Sequence, residues 1–309
     1  MSTEAKALET TSLRSRSRVL DYIELMKPEL TGLSALTTLC GFYLAINNTF
    51  NYWLFFHTAV GTLLVGGGAG ALNQYIERTY DALMKRTERR PLPSGRLQPI
   101  EVLSFGLGIS FMGILQLSLF VNTLTGFLAA LTWTTYLFLY TPLKRVTPMS
   151  TIVGGIPGAL PPMMGWTAVR GEISPEAWIL FAILFCWQMP HFFSLAWMYR
   201  KDYARAGFKI LTVKDPFGEK TSKQIVWFAS ALLPASIAPA FLGMTGSLST
   251  IGALLLGVGF LAIGIILLRS SGHDNPEAVG KVNFYSRRMF FASLIYLPML
   301  MLMMTLDKL

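Results

Sequence analysis

The stretch LNQYIERTYDALMKRTERRPLPSGRL, residues 72–97, places a dense set of charges between two long apolar segments. Within it, Asn73, Glu77 and Asp81 recur every four residues, so on a helix their side chains line one face. The cations that follow are Lys85, Arg86, Arg89, Arg90 and Arg96. Oxygen ligands beside cations are what a site needs to hold a divalent metal ion and a phosphate together. A charged loop that caps a membrane helix is the structural alternative.

The composition indicates a membrane protein. Of the 309 residues, 52% are hydrophobic and only 14% are charged, and the mean hydropathy is positive. Such a chain is too apolar for an ordinary soluble domain. Cys40 and Cys186 lie inside apolar runs, so the sequence predicts neither a disulfide framework nor a cysteine metal site. The net charge of +9 comes from short loops between apolar segments and does not predict binding to nucleic acid.

Apolar segments long enough to cross a bilayer recur along the chain. A spanning helix needs about 20 residues. The nine predicted spans are 29–47, 52–75, 101–120, 122–140, 150–168, 176–199, 224–243, 248–268 and 284–306. If the N-terminus is cytoplasmic, all of the 26 Lys and Arg residues except Arg170 and Lys308 fall on the cytoplasmic side. This bias favours nine transmembrane helices in that orientation.

The organisation of the chain is predicted from two polar loops. Loops 76–100 and 200–223 are rich in functional groups and lie four predicted helices apart, which indicates two similar four-helix halves plus one helix. Residues 1–20 lack the apolar core of a signal peptide and are predicted to form a disordered cytoplasmic arm, whose arginines suit an anionic lipid surface. Residues 21–309 then form a single all-α, polytopic membrane domain.

The two polar loops share one theme, a carboxylate among cations, since Asp202 stands in the segment WMYRKDYARAG. Mg²⁺ prefers carboxylate and amide oxygens together with phosphate oxygens. The candidate catalytic groups and metal ligands are Asn73, Glu77, Asp81 and Asp202. The candidate diphosphate-binding cations are Lys85, Arg86, Arg90, Lys144, Arg145 and Lys201.

A diphosphate held through magnesium at one end of an apolar bundle fits this pattern. The bundle would hold a hydrocarbon tail, while metal and cations would stabilise the leaving diphosphate as an allylic C–O bond breaks. The chain has no persuasive Ser-His-Asp or Cys-His arrangement, so no protein nucleophile is expected.

One histidine has an unusual position. His191 lies beside Pro190 in the predicted span 176–199, and Asp202 is predicted to follow on the same helix. A lone histidine in a membrane helix is either a hydrogen-bonded packing residue or a ligand, since neutral imidazole binds polar acceptors and haem iron. Trp187, one turn earlier, is a second candidate for binding there, with anchoring at the membrane interface as its alternative.

Four segments carry a resemblance to a known family. They are KPELTGLSALTTLCGFYLA at 27–45, Asn73 through RTERRPLPSGR, YTPLKRVTPMSTIVGGIPGALPPMMGW at 140–166 and WQMPHFFSLAWMYRKDYARAGFKIL at 187–211. With these segments the chain resembles the UbiA superfamily of intramembrane prenyltransferases from Lys27 onward. The last two segments resemble its haem-modifying branch and separate the chain from relatives with aromatic acceptors.

The resemblance implies transfer of farnesyl from farnesyl diphosphate to a vinyl group of haem b, with addition of water. It also implies Mg²⁺ as cofactor and a cell (inner) membrane location with the active site facing the cytoplasm. The family's first acidic motif falls on Asn73, Glu77 and Asp81, with Glu77 where Asp is more usual. Lys201 stands where the wider superfamily often has a second acid, and His191 and Trp187 become candidate haem-binding residues. The six candidate cations, Lys85, Arg86, Arg90, Lys144, Arg145 and Lys201, then bind either diphosphate or haem propionates.

Two other functions stay open at this point. The first is prenylation of an aromatic acceptor such as a quinone precursor. The second is a non-enzymatic membrane transporter or assembly protein, although ionisable groups at one membrane face rather than at mid-depth weigh against it. Beyond the substrates and membrane lipid, a haem A synthase or an oxidase assembly factor is a possible partner.

Overall fold

The structure is a computed structural model that describes residues 17–47, 49–272 and 276–309. Over these ranges the regular structure is helical, and the β contact is an isolated bridge between Thr245 and Lys308. The predicted all-α class is therefore confirmed. Of the predicted disordered arm 1–20, residues 1–16 lie outside the described ranges, but residues 18–20 are helical, so the predicted disorder does not extend to them.

The helices are numbered in chain order. They are α1 (Arg18–Leu25), α2 (Pro28–Ala45), α3 (Tyr52–Asp81), α4 (Pro99–Phe120), α5 (Thr123–Thr134), α6 (Ser150–Arg170), α7 (Pro175–Met198), α8 (Arg200–Arg205), α9 (Glu219–Phe241), α10 (Ser247–Arg269) and α11 (Pro276–Leu306). A π-helix, Thr135–Tyr140, and a short helical turn, Thr141–Leu143, continue α5.

Each predicted span corresponds to a helix. In the described part of the chain, six helices are long and apolar enough to cross a membrane by length and composition: α3, α4, α7, α9, α10 and α11. The remaining predicted spans are helical in α2, in α5 with its π-helix, and in α6. The protein is thus a multi-pass membrane protein, whereas nine as the number of spans stays a prediction.

Two helix boundaries differ from the sequence pattern. The apolar pattern ends α3 at residue 75, but the helix continues to Asp81 because its last polar side chains find charged partners. The span 176–199 and Asp202 were predicted on one helix, which is wrong: α7 ends at Met198, and Tyr199 separates it from α8. Asp202 therefore lies on a short helix of its own.

The bundle is built from neighbouring antiparallel helices. Consecutive long helices pack side by side, α2 packs along α6, and α7 packs along α11. Backbones approach closely between α2 and α6, where a Cβ at Gly165 would lie 1.8 Å from the Thr38 carbonyl oxygen. The glycine run of α3 serves the same purpose against α4, because a Cβ at Gly68 would lie 2.0 Å from the Ser110 hydroxyl.

The loops 82–98, 144–149 and 206–218 gather at one end of the bundle, here called the polar end. Met84, Phe208 and Ile210 form a small buried core there with Tyr80 and Tyr203 at its edge, so the first polar loop packs on the second. The Lys209 amide donates to the Lys144 carbonyl at 2.9 Å, and this hydrogen bond joins loop 144–149 to loop 206–218. The two acidic loops predicted from the sequence are thus neighbours.

Helix α1 is fastened to this end by one arginine. Arg96 pairs with Asp21, and with Glu24 at 3.1 Å, and it also donates to the Arg89 carbonyl at 2.7 Å. The chain then turns sharply at Lys27, whose φ of 51° lies in the left-handed region that only glycine adopts without cost. This turn directs the Lys27 side chain toward α3.

Candidate active site

Asn73, Glu77 and Asp81, the α3 polar cluster, lie on one face of α3 as predicted, and all three are buried. The Asn73 amide nitrogen donates to the Glu77 carboxylate at 3.1 Å and to the Thr141 hydroxyl at 3.2 Å. Its Oδ1 atom accepts from Lys27 Nζ at 2.7 Å. Hydrogen bonds therefore connect Asn73 with Glu77 and fix the orientation of the Asn73 amide.

Each carboxylate of the cluster has a cationic partner. Lys144 Nζ lies 2.9 and 3.2 Å from the two Glu77 carboxylate oxygens, and Arg90 Nη1 lies 2.7 Å from Asp81 Oδ2. The other oxygen of Asp81, Oδ1, is buried and has no hydrogen-bond partner within the described ranges. A buried carboxylate oxygen without a partner is costly, so it marks a place for a cation.

The pKa values of the two lysines of the site, Lys27 and Lys144, are shifted in opposite directions. The pKa of the Lys27 amine is lowered to about 7, mainly by burial and next by the nearby charges of Arg90 and Lys144, while Glu77 and Asp81 oppose the shift. Burial also opposes the charge on Lys144, but the adjacent Glu77 carboxylate raises the pKa of Lys144 above its ordinary value. Lys144 is therefore a fixed cation of the cluster.

A cavity of about 290 Å³ runs into the bundle beside the cluster, and Lys27, which donates to Asn73, lies in its wall. Its polar mouth is lined by Lys27 and by Tyr140, whose ring lies 4.4 Å from Lys144 Nζ. Tyr136 and Tyr140 both belong to the π-helix, a form that is frequent at functional sites. Deeper, the wall is mostly apolar and reaches Trp187 and His191.

His191 is held by a chain of hydrogen bonds with α11. The Ser293 hydroxyl donates to the Phe290 carbonyl at 2.5 Å, so its oxygen accepts from His191 Nδ1 at 2.8 Å. Nδ1 therefore carries the ring proton, and Nε2 keeps its lone pair. Trp187 stacks on the imidazole at 5.2 Å between ring centroids and donates to the Ser293 carbonyl at 2.8 Å.

Other predicted cations lie on the loops of the polar end. Arg145 donates to the Tyr80 hydroxyl at 2.8 Å, and Arg86 lies 5.2 Å from the Tyr199 ring centroid. Lys85 is exposed. Cations stacked on tyrosine rings keep donors available for phosphate oxygens.

The donor set of the cluster fits Mg²⁺. An amide oxygen and two carboxylates are hard oxygen ligands, and Asp81 Oδ1 is already without a partner. The flanking cations would balance the charge of a phosphate ligand of the metal. His, Cys, Asp and Glu alone form no group of three that could hold a metal within the described ranges, so such a site needs the Asn73 amide and ligand oxygens as well.

Comparison with known proteins agrees with this architecture. Residues 34–294 match the UbiA prenyltransferase family. The chain belongs to the UbiA prenyltransferase family. The protoheme IX farnesyltransferase of Solibacter usitatus is 45% identical over 93% of this chain and 98% of its own length. The enzyme of that name from Salinibacter ruber is 41% identical, with the same coverage of both chains.

Solved structures share the fold of this UbiA prenyltransferase. A digeranylgeranylglyceryl phosphate synthase structure superposes with a TM-score of 0.73 at 17% identity, over 93% of this chain and 98% of the other. A UbiA homologue from Archaeoglobus fulgidus bound to DMAPP and Mg²⁺ gives 0.64 at 14% identity, over 90% of this chain and 99% of the other. The protein is therefore a membrane prenyltransferase with the UbiA fold.

Within this prenyltransferase, the two predicted acidic motifs are not equivalent. Asp202 pairs with Arg205 on its own helix at 3.1 Å, and no contact within the described ranges joins it to the α3 polar cluster. Asp202 and Lys201 line a separate pocket beside α11. Their roles as metal ligand and diphosphate-binding group stay predictions.

Three residues of the site were not singled out as site residues by the sequence. Lys27 reaches Asn73 from 46 positions away, and Ser293 reaches His191 from 102 positions away. Such contacts depend on helix packing and leave no local pattern. Tyr140 stands one helical turn before Lys144, and that spacing could have indicated it.

Proposed function

We propose that this prenyltransferase transfers a farnesyl group from farnesyl diphosphate to a vinyl group of haem b. The observation that carries the proposal is a cavity lined by Lys27, the partner of Asn73, and by His191, whose Nε2 keeps its lone pair. The two relatives named protoheme IX farnesyltransferase support the same acceptor. A quinone precursor carries no metal ion that this histidine could ligate.

At the donor end, Asn73, Glu77 and Asp81 would hold Mg²⁺. The metal would supply Lewis-acid stabilisation of the diphosphate as it leaves. Lys27, Lys144 and Arg90, which now neutralise the cluster, would then turn their donors toward phosphate oxygens. Arg86 and Arg145 on the loops of the polar end would extend this cationic surface, with Lys85 as an exposed member.

During the reaction the allylic C–O bond breaks and diphosphate leaves with the electron pair. The Tyr136 and Tyr140 rings at the mouth of the cavity face the carbon on which positive charge develops, and an aromatic face stabilises a cation. The vinyl group attacks this carbon and forms the new C–C bond. Water then adds to the resulting cation and releases a proton, which gives the hydroxylated side chain of haem O.

At the acceptor end, His191 Nε2 would ligate the haem iron. The hydrogen bond from Nδ1 to Ser293 selects the neutral tautomer that a metal needs, and Trp187 restricts the ring by stacking. The charge bias of the loops supports an inner-membrane enzyme whose polar end faces the cytoplasm. A haem A synthase or oxidase assembly partner stays a prediction.

The test uses the purified protein in lipid nanodiscs with haem b and farnesyl diphosphate. Wild type is expected to form haem O with Mg²⁺ and none after chelation. Asp81→Asn removes the carboxylate with the free Oδ1 and is expected to lower the rate by at least about 100-fold, the scale of one lost electrostatic group in catalysis. Activity of Asp81→Asn equal to wild type would remove the metal role.

Asp215→Asn is the matched control for that variant. Asp215 is also buried, but its Oδ2 accepts from the Thr221 amide and hydroxyl in the first turn of α9, at 2.7 Å each. Asparagine keeps an amide oxygen that accepts both hydrogen bonds. This variant should therefore keep the Mg²⁺ dependence and most of the rate. Parallel reactions with 4-hydroxybenzoate in place of haem b test the acceptor, and prenylation of that compound alone would contradict the proposal.

A further inference from the structure

A second pocket lies at the polar end, between α8 and α11. It has a volume of about 390 Å³, and its charged or amide lining residues are Arg200, Lys201, Asp202, Asn283 and Arg287. It does not share a lining residue with the cavity described above. We refer to it as the α8–α11 pocket.

This pocket has an excess of positive charge. Asp202 is already paired with Arg205 at 3.1 Å. Neither Lys201 nor Arg287 belongs to an ion pair within the described ranges. Three cations around a pocket whose one carboxylate has a partner elsewhere favour an anionic ligand.

One of these cations is held in place before any ligand binds. Arg200 Nη1 donates to Asn283 Oδ1 at 2.8 Å and to the Trp197 carbonyl at 3.0 Å, and its guanidinium carbon lies 4.2 Å from the Trp197 ring centroid. Trp197 Nε1 donates to the same Asn283 oxygen at 2.9 Å. Within the described ranges these contacts engage only Nη1, so the other guanidinium nitrogens of Arg200 can donate to a planar anion such as a carboxylate.

Along the α7–α11 interface, the pocket lies closer to the polar end than His191 does. Phe290 packs on the His191 ring at 4.8 Å between centroids, and Arg287 precedes Phe290 by one helical turn. At 1.5 Å per residue, Arg287 lies about 9 Å closer to the polar end than Ser293 along α11. A porphyrin whose iron is bound by His191 would place its propionate side chains toward the pocket when they point to the polar end.

We propose that the α8–α11 pocket is a carboxylate site that binds the propionate groups of the porphyrin acceptor. The inference rests on the proposed function, and it assigns Lys201 to the acceptor rather than to the diphosphate. A phosphate of a lipid headgroup has the same chemistry and is the other source of such an anion. Propionate binding is favoured because the pocket continues the interface that holds His191.

The test compares Arg287→Gln with Arg288→Gln in nanodiscs of uncharged lipid. Arg288 is the adjacent cation, lies 4.2 Å from the Phe284 ring centroid and does not line the pocket. Haem b and its dimethyl ester, in which both carboxylates are masked, are titrated by Soret absorbance. Arg287→Gln should weaken haem b binding about tenfold, the scale of one charged hydrogen bond, and leave the ester unchanged. Arg288→Gln should change neither.

The other outcomes distinguish the propionate site from a lipid site and from failure of the proposed function. Wild-type affinity of Arg287→Gln for haem b, or equal weakening for haem b and its ester, would overturn the inference while leaving the proposed function standing. Failure of the wild type to bind haem b would contradict the proposed function itself. If the wild type retains phosphatidylglycerol and Arg287→Gln does not, while both bind haem b with equal affinity, the pocket takes a lipid headgroup and the propionate assignment is wrong.

Discussion

At the residue scale, the polar site is an assembled set of buried partners. Lys27, Lys144 and Arg90 each contact one member of the α3 polar cluster. Buried carboxylates without compensation would be too costly at this depth, so the cations stabilise the fold. The same cations then lie beside any diphosphate that the cluster binds through metal. Stability and binding thus depend on the same side chains.

Glu77 tests this double role. Glu77→Gln removes the carboxylate and leaves the buried Lys144 ammonium without its partner. Loss of one partner of a buried pair costs about 3–5 kcal/mol, so the thermal transition in detergent should fall together with Mg²⁺-dependent activity. Glu77→Asp keeps the charge and should retain measurable activity with a higher Mg²⁺ requirement. Equal activity of the Gln and Asp variants would show that the charge is dispensable.

Ser293 is expected to act on haem through His191. Ser293→Ala removes the acceptor of the Nδ1 proton, so the tautomer with a free Nε2 is no longer selected. The Soret band of bound haem should shift, and affinity should fall about tenfold, as for loss of a second-layer partner of a metal ligand. His191→Ala should alter the band further.

Ser286→Ala is the control for this prediction. Ser286 is a buried serine on the same helix whose hydroxyl has no hydrogen-bond partner within the described ranges. The variant should leave the Soret band and the haem affinity as in the wild type. Identical Soret spectra of Ser293→Ala and Ser286→Ala would show that His191 is a packing residue and not a haem ligand.

Residue-scale prediction from sequence succeeded where the pattern is local. The four-residue spacing of Asn73, Glu77 and Asp81 placed them on one face, because α3 is regular through Asp81. Lys27 could not be found in this way, since its approach to Asn73 requires both the turn at φ 51° and the packing of α2 on α3. The role of each site residue stays a prediction that the experiments above address.

At the scale of elements, α1 positions the mouth of the cavity. Its apolar residues Val19, Leu20 and Ile23 are exposed, while Asp21 is buried against Arg96. An amphipathic helix of this kind suits the membrane interface. The helix ends just before Lys27, so its attachment to Arg96 also fixes the lysine at the α3 polar cluster.

Arg96→Gln should release α1 without unfolding the bundle. It removes ion pairs with Asp21 and Glu24, and hydrogen exchange of residues 18–26 should accelerate. The KM for farnesyl diphosphate should rise several-fold because Lys27 loses its support. Arg18→Gln breaks an exposed pair with Glu101 and should cost at most about 1 kcal/mol, with an unchanged KM. A wild-type KM for farnesyl diphosphate in Arg96→Gln would show that α1 does not contribute to binding of the donor.

Element boundaries were predictable only where apolarity defines them. Segments 101–120 and 248–268 agree with α4 and α10 to within a few residues. The apolar run of 284–306 misses the start of α11 at Pro276, because the first turns of that helix are polar and stand outside the apolar pattern. The break at Tyr199 has no strong turn residue beside it, and it separates Asp202 from His191.

At the scale of the whole molecule, one bundle brings a charged end and an apolar interior into a single cavity. The all-α class and the multi-pass character follow from composition, since most of the chain is apolar. The cavity that runs from Lys27, beside the α3 polar cluster, to His191 requires the packing of α2, α3, α6, α7 and α11 around one space. Sequence patterns predict the two ends of this cavity but not their connection.

The most direct test is the mass of the haem that accumulates when the protein is expressed in a strain that makes only haem b. The account predicts that wild-type cells yield haem increased by the mass of one farnesyl group and one hydroxyl group, and that Asp81→Asn cells yield haem b alone. Ser286→Ala, expressed to the same level, should match the wild type. Unmodified haem b from wild-type cells, with farnesyl found on a quinone precursor, would contradict the account.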